Sequence, residues 1–374
     1  MTTRIGFVST YPPTLCGLAT FTDSLLTHLV ARGDVSARVI RVVDTTAARG
    51  GAEVAGELVA DDPTTIARSV AQLNAGDVAI VQHEYGVYGG EDGDQILEVL
   101  QALAVPSIVV LHTVLTTPTP HQKLVLERVV ALADAVVTMT ETARARLTGY
   151  AVDLAKVTVI PHGAPQLRPS QAATFRSAEP TVLTWGLIGP GKGIEWGIAA
   201  MASLRDLSPA PRYLVAGQTH PKVLAREGES YRQGLSQQIQ SLGLSGAVSL
   251  DGYYRHAQAL AELVASADVV LLPYDSTEQV TSGVLIEAVA ALKPVVATRF
   301  PHAIELLGGG AGILVPHRDP EAIAAALRTV LTRRDVTAGI TRAAVASASE
   351  LLWPAVAQRY HDLAGGLLEA RVAA

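Results

Sequence analysis

Gln279-Val-Thr-Ser-Gly-Val-Leu-Ile-Glu287, followed by Lys293-Pro-Val-Val-Ala-Thr298, is the stretch whose reading decides the fold. Ahead of it runs Asp268-Val-Val-Leu-Leu-Pro273, a short apolar run of strand character. A loop carrying Thr281, Ser282 and Gly283 then leads into an apolar helical stretch, and a second strand opens at Pro294. This order aims a helix N-terminus at the carboxyl edge of a parallel sheet. The free N–H groups there suit an anion such as a diphosphate. Glu287 falls one turn into the helix, where a carboxylate can take hydrogen bonds from two ribose hydroxyls. The segment reads as a nucleotide-diphosphate site. An ordinary strand–helix–strand repeat with a solvated Glu287 is the plainer alternative.

The same alternation extends in both directions. Strands are expected at Ile5–Ser9, Arg38–Val43, Val78–Gln82, Ser107–His112, Ala135–Met139 and Val157–Pro161. Helical patterns at Ala19–Ala31, Thr64–Asn74, Gln95–Leu103, His121–Leu132 and Glu141–Leu147 separate them. The strands are continuous hydrophobic runs, which marks a parallel sheet covered on both faces. Pro165–Pro180 interrupts the pattern and reads as a linker. Strands then resume at Thr181–Gly186, Tyr213–Gly217, Ala247–Leu250, Val269–Pro273, Pro294–Thr298 and Gly312–Val315. A two-helix stretch at Pro320–Ser349 and a closing helix at Trp353–Leu368 follow. The expected fold class is α/β, with two doubly wound domains in tandem: 1–167 together with 353–374, and 178–350. Ligands of open parallel sheets bind at the strands' carboxyl ends, so a cleft between two such domains is the expected site.

The chain of 374 residues exceeds the usual size of one domain, and 49% hydrophobic residues suffice for two cores. A net charge of −6, with no Lys/Arg run, excludes general attraction to nucleic acid. Cys16 is the single cysteine, which excludes an intramolecular disulfide and a Cys-based zinc site. Strand character begins almost at Met1 and no apolar run reaches membrane-spanning length. The expected location is the cytoplasm, with peripheral contact at the inner face of a membrane left open. His121-Gln-Lys123-Leu-Val-Leu-Glu-Arg128 carries two cations, a weak amphipathic signal for such contact.

Several loops carry candidate chemistry. Tyr11-Pro-Pro-Thr-Leu-Cys-Gly17 joins the first strand to the first helix, and Gly17 would let backbone approach a ligand or simply start the helix. Gln82-His83-Glu84-Tyr85-Gly-Val-Tyr88-Gly-Gly90 follows a buried strand. His83, Glu84 and Tyr85 suit a polyhydroxylated substrate, or form a structural turn. His112 ends the next strand, facing the expected cleft, and reads equally as a packed histidine. Gly186-Leu-Ile-Gly-Pro-Gly191-Lys192-Gly193 matches part of a P-loop. Gly193 stands where a P-loop needs Ser or Thr for magnesium, which argues against an ATPase. Lysines occur only at 123, 156, 192, 222 and 293, so Lys192 is not background from a Lys-rich surface. Asp92-Gly-Asp94 has a metal-binding form but precedes a helix, where an N-cap is the readier reading. No H-E-x-x-H cluster and no G-x-S-x-G elbow is present. No metal ligand is assigned.

Taken together these residues resemble a retaining glycosyltransferase of family 4, the glycosyl transferases group 1. The resemblance runs from the Tyr11–Gly17 loop through His112, Pro161-His-Gly163 and Gly191-Lys192-Gly193 to Glu287 and Pro294-Val-Val-Ala-Thr298. Trp353-Pro-Ala-Val-Ala-Gln-Arg-Tyr360 is similar to the family's closing helix. The resemblance implies the GT-B architecture: two Rossmann-like domains facing a cleft, with the last helix crossing back. The first would bind acceptor and the second the nucleotide sugar. It places Gly17 near donor diphosphate and acceptor, His112 beside the transferred sugar, and Lys192 on the diphosphate. Gln279 and Glu287 stand at the two ends of the family's E-x7-E motif, touching donor sugar and ribose. Backbone amides of Thr281, Ser282, Gly283 and Val284 would reach phosphate or sugar. Three departures stand out. Gln279 replaces a Glu, with Glu278 one residue earlier. Leu187 replaces an Arg, leaving Lys192, the helix dipole or a cation such as Arg299 to stabilise the leaving group. Leu292 replaces a Gly before Lys293-Pro294.

The implied reaction moves a hexose from a donor of the GDP-mannose or UDP-glucose type to an acceptor hydroxyl, with retention. It needs no protein nucleophile, no cofactor and no essential metal. The leaving phosphate takes the acceptor's proton, and the protein supplies orientation and charge. Closure over the donor would hinge near Pro165–Pro180 and Trp353. Expected partners are the nucleotide sugar and an acceptor of unknown identity: glycan, lipid-linked or small molecule. A GT-B nucleotide-sugar epimerase and a catalytically silent nucleotide-sugar binder are the alternatives, the latter favoured by Gln279 and Leu187.

Overall fold

The computed structural model describes residues 2–46, 50–166 and 179–373. They form two compact units, Met1–Gly163 with Trp353–Ala374, and Ala164–Leu352. Most of the expected linker, 167–178, lies outside the described residues.

The first unit runs β1 (Thr3–Ser9), α1 (Gly17–Val30), β2 (Val35–Val43), β3 (Val54–Val59), α2 (Pro63–Asn74) and β4 (Val78–His83). It continues through α3 (Ile96–Ala102), β5 (Ser107–Leu111), α4 (Pro120–Leu132), β6 (Ala135–Thr138), α5 (Glu141–Arg146) and β7 (Val157–Val159). The sheet order is β3-β2-β1-β4-β5-β6-β7 and the pairings are parallel. β4, β5 and β6 are buried throughout, as their unbroken apolar runs require. The strand order reverses between β1 and β4, paired from Ile5↔Val78 to Val8↔Val81, so a crevice opens beyond their carboxyl ends. β3 was not foreseen. It is an edge strand, Val-Ala-Gly-Glu-Leu-Val, more exposed than the central ones, and Gly56 makes room for the Gln72 amide.

The second unit runs β8 (Thr181–Trp185), α6 (Ile194–Met201), β9 (Arg212–Ala216), α7 (Pro221–Glu227), α8 (Ser230–Ser241), β10 (Val248–Asp251) and α9 (Ala257–Ser266). Then come β11 (Val269–Leu272), α10 (Gly283–Ala290), β12 (Val295–Thr298), α11 (Pro301–Leu307), β13 (Ile313–Val315), α12 (Pro320–Thr332) and α13 (Arg334–Ala348). Its parallel sheet has the order β10-β9-β8-β11-β12-β13, reversing between β8 and β11. Helices cover both faces: α6, α8 and α12 contribute to one core cluster, α9, α10 and α11 to the other. Ala164 N–H donates to Leu351 O at 2.7 Å, which ties the two ends of this unit together.

Helix starts follow from local chemistry. Asp62-Pro63, Thr119-Pro120 and Asp319-Pro320 each pair a capping oxygen with a proline in the first turn, where a missing N–H costs nothing. The end of α10 explains Leu292. Leu292 N–H donates to Val289 O and Lys293 N–H to Ala288 O, a Schellman closure, and Leu292 takes φ +57°. The site demands a left-handed residue, and leucine carries that strain where glycine would not. Lys293 then donates to Ala265 O and Ala267 O at the end of α9, a structural role.

The last helix, α14 (Trp353–Ala373), belongs to the first unit. Trp353, Val356, Ala357, Tyr360 and Ala364 form its buried stripe, at helical spacing, in one core cluster with Phe21, Leu25 and Leu29 of α1. Gly163 is dictated by this packing, because a Cβ there would fall 2.2 Å from the Trp353 ring.

Candidate active site

In the second unit, two loops meet at the point where strand order reverses. The first, Gly186–Gly193, leaves β8 for α6. Gly193 lies at φ +61°, and a Cβ there would sit 1.8 Å from Pro273 O, so the P-loop serine is excluded by the neighbouring chain as well as by the sequence. Asp275 N–H donates to Gly191 O at 2.9 Å, pinning this loop to the one after β11. Lys192 Nζ stands 4.2 Å from the centroid of the Tyr274 ring. Trp196 Nε1 donates to Asp275 Oδ1 at 3.0 Å, and the Arg318 guanidinium pairs with the same oxygen at 3.4 Å. Arg299, the cation expected to stand in beside Leu187, is exposed at the start of the β12–α11 turn. The guanidinium that reaches this loop system is Arg318's, through Asp275.

The second loop leads into α10. The Ser282 hydroxyl accepts from Leu285 N–H at 3.3 Å and so caps the helix. Ser282 N–H donates to Nδ1 of buried His302 at 2.8 Å, and His302 N–H donates to Gln279 O at 3.3 Å. Gln279 Nε2 donates to Thr281 O at 3.1 Å, turning its amide back on its own loop. Glu278 N–H donates to Ser276 Oγ at 3.3 Å. The N–H groups of Gly283 and Val284 find no acceptor among the described residues, as the first turn of a helix leaves them. Partial positive charge therefore gathers beside the loop bearing Lys192; a Cβ on Gly186 would lie 3.6 Å from Val284 Cγ2. Glu287 is half-buried one turn on, and its Oε2 accepts from Trp185 Nε1 at 3.1 Å. Burial pushes its carboxyl up to about 7, with the Trp185 N–H pulling the other way. Glu287 is thus held at the end of β8 by an indole.

The first unit carries a separate polar group at the carboxyl end of its sheet. His112 Nε2 pairs with Gln82 Oε1 at 2.7 Å, and its ring meets Phe21 edge-on, centroids 5.1 Å apart. His162 and Trp353 pack on the same phenylalanine. Burial, with His162 and His83 nearby, pushes His112 down to about 3, so the ring is neutral at pH 7. In that pairing Nε2 donates and Nδ1 keeps its lone pair. His83 is enclosed, its ring 5.3 Å from that of Tyr85, and burial lowers it to about 4. Glu84 accepts from Tyr85 N–H at 3.1 Å and from the Thr113 hydroxyl at 2.5 Å; Tyr85 Oη donates to Gln122 O at 3.3 Å. Gly17 is the exposed first residue of α1, whose cap is the Cys16 thiol, accepting from Ala19 N–H at 3.4 Å.

The capping expectation for Asp92 and Asp94 is corrected. Neither side chain caps α3, whose N-cap Gln95 makes no side-chain cap bond. Asp92 turns to the start of α4 instead, meeting His121 Nδ1 at 3.1 Å and Gln122 Nε2 at 3.2 Å. Glu91, Asp92 and His121 offer ligand atoms within 4.8 Å of one another. No helix among the described residues is long and apolar enough to cross a membrane.

Sequence reading missed Tyr274, Asp275, His302 and Arg318. Tyr274 and His302 act through contacts between separate loops, and Arg318 through an ion pair, none of which leaves a local motif.

Residues 179–333 match the family model described as Glycosyl transferases group 1. A D-inositol 3-phosphate glycosyltransferase of Segniliparus rotundus is 32% identical over 251 residues, covering 64% of this chain and 54% of that protein. One from Geodermatophilus obscurus is 33% identical over 240 residues, covering 60% and 52%. The matched stretch therefore spans about half the length of these relatives. Among solved structures, Anabaena HepE in complex with UDP and glucose superposes with a TM-score of 0.75 at 18% identity, covering 97% of this chain and 100% of that one. Sucrose-phosphate synthase of Thermosynechococcus elongatus gives 0.75 at 19% identity, covering 98% and 100%. The chain has the α/β fold of the GT-B glycosyltransferases, and the stretch similar to the glycosyl transferases group 1 model lies within its second unit.

Proposed function

We propose that the protein is a retaining glycosyltransferase of family 4 that moves a hexose from a nucleotide diphosphate sugar to an acceptor hydroxyl. One observation carries the reading: a helix N-terminus with free N–H groups, a lysine and a half-buried carboxylate converge where β8 and β11 part. The N–H groups of Gly283 and Val284, with Lys192, receive the diphosphate and stabilise it as it leaves. Glu287 accepts the ribose hydroxyls. The matching family model over this unit supports that use.

The donor we favour is a UDP-hexose, since HepE has been solved with UDP-glucose, with GDP-mannose as the second choice. For the acceptor, the D-inositol 3-phosphate glycosyltransferases support a phosphorylated polyol. The first unit, with His112, His83, Glu84, Tyr85 and Gly17, takes the acceptor side. Neutral His112 can accept a hydrogen bond from a sugar hydroxyl at Nδ1, while its one N–H is engaged with Gln82 Oε1. Retention follows if the departing phosphate oxygen takes the acceptor's proton on the face it leaves. That route assigns no step to a metal or cofactor, and peripheral membrane contact is not required.

The test is donor turnover. Pure protein is incubated with UDP-, GDP- and ADP-sugars, with and without EDTA and inositol phosphate, and nucleoside diphosphate release and product anomer are followed. EDTA-resistant release with a retained α-linkage supports the proposal. Inverted product, or no binding of any nucleotide sugar, overturns it.

A further inference from the structure

We propose that Tyr274 is a positioning residue of the nucleotide-diphosphate site: its ring face holds the Lys192 ammonium where the diphosphate arrives. The inference rests on the donor-site reading above and adds a residue to it.

The ring is a fixed platform. Tyr274 is 1% exposed and stacks on Phe300, centroids 5.1 Å apart and planes at 27°. Its carbonyl accepts from the Thr298 hydroxyl at 2.6 Å and pairs with His317 Nδ1 at 2.8 Å. The next residue, Asp275, donates its N–H to Gly191 O, so ring and lysine loop are tied one residue from each contact. Above this platform Lys192 Nζ lies 4.2 Å from the centroid. Lys156 and Lys293 place their ammonium groups on backbone carbonyls instead. A π face attracts the cation without consuming its N–H donors one by one, so they stay available to an anion. Leu187 puts no second charge into this loop. A single flexible lysine loses its rotamer freedom on binding, and a ring that orders it beforehand removes part of that loss. The Tyr274 hydroxyl is buried without a partner among the described residues, so the ring and not the hydroxyl is the working part.

Calorimetric titration of UDP and GDP into the full chain tests this, using the parent, Tyr274→Leu, Tyr274→Phe, Lys192→Met and the Leu/Met double variant. Tyr274→Leu should weaken the nucleotide by about three- to tenfold, while Tyr274→Phe, which keeps the ring face, stays within about twofold of the parent. The double variant should bind no more weakly than Lys192→Met alone. Thermal unfolding confirms that each variant is folded. Unchanged or tighter binding by folded Tyr274→Leu, or additive losses in the double variant, overturns the proposal. Failure of the parent to bind either nucleotide overturns the donor-site reading itself.

Discussion

The backbone N–H of Ser282 donates to Nδ1 of His302 at 2.8 Å, with both residues buried. Ser282 is the cap of α10, and His302 also holds Gln279 O through its own N–H. One histidine at the start of α11 thus fixes the loop that delivers Gly283 and Val284 to the candidate diphosphate site. It does so as a neutral acceptor, since a ring protonated at Nδ1 could not receive the Ser282 N–H. His302→Ala should leave that N–H unsatisfied and cost about 1–3 kcal/mol. The melting temperature should fall, and UDP should bind more weakly in the variant at temperatures where it is folded. Unaltered UDP affinity in the folded variant would show that the loop holds its shape without His302.

Leu292 offers a change in the other direction. Its φ of +57° strains an L-residue, and it is 37% exposed, so little packing is lost on removing its side chain. Leu292→Gly should stabilise the second unit by about 0.5–1 kcal/mol after allowing for glycine's freer unfolded chain. Calorimetry should place its melting temperature about 1–3 °C higher. A lower value would mean that contacts of the leucine outweigh the strain.

These two sites show what a sequence discloses. The parallel sheets were legible because each central strand is buried on both faces, which forces an uninterrupted apolar run such as Val269–Leu272. Lys192 and Glu287 stand out as candidates because each sits in a local pattern, glycines beside one and a capped apolar helix around the other. β3 escaped notice because an edge strand with Gly56 and Glu57 has no such run. His302 escaped notice because its partner is 20 residues away and the bond is to backbone. Leu292 was visible as an oddity, but only its dihedral angle gives the reason.

Acid should act unequally on the two units. His83, His112 and His162 all belong to the first unit and are lowered by burial from 6.5 to about 4, 3 and 4. The unfolded chain takes up their protons first. The stability they contribute is complete above pH 6.5 and is lost as pH falls towards these values. Each withdraws up to about 1.4 kcal/mol per pH unit in that window. Glu287, in the second unit, is raised from 4.5 to about 7 by burial. Its contribution is complete below pH 4.5 and is lost as pH rises through 7. Differential scanning calorimetry between pH 7.5 and 5 should show the transition of the first unit moving down steeply, while that of the second moves less or rises. Equal downward shifts of both would contradict the burial of these groups.

The decisive single substitution for chemistry is Lys192→Ala. The Lys192 ammonium lies over the Tyr274 ring, on the loop next to the free N–H groups of α10, and its charge is felt by His220. A preorganised charge at a leaving group is worth about 3–4 kcal/mol, as donor deletions at oxyanion sites indicate. Turnover should therefore fall by a factor on the order of a hundred or more. The loss should appear in kcat, because charge builds on the diphosphate as the glycosidic bond breaks. A rise in KM with kcat intact would make Lys192 a binding residue for the ground state alone. Full activity would remove it from the site.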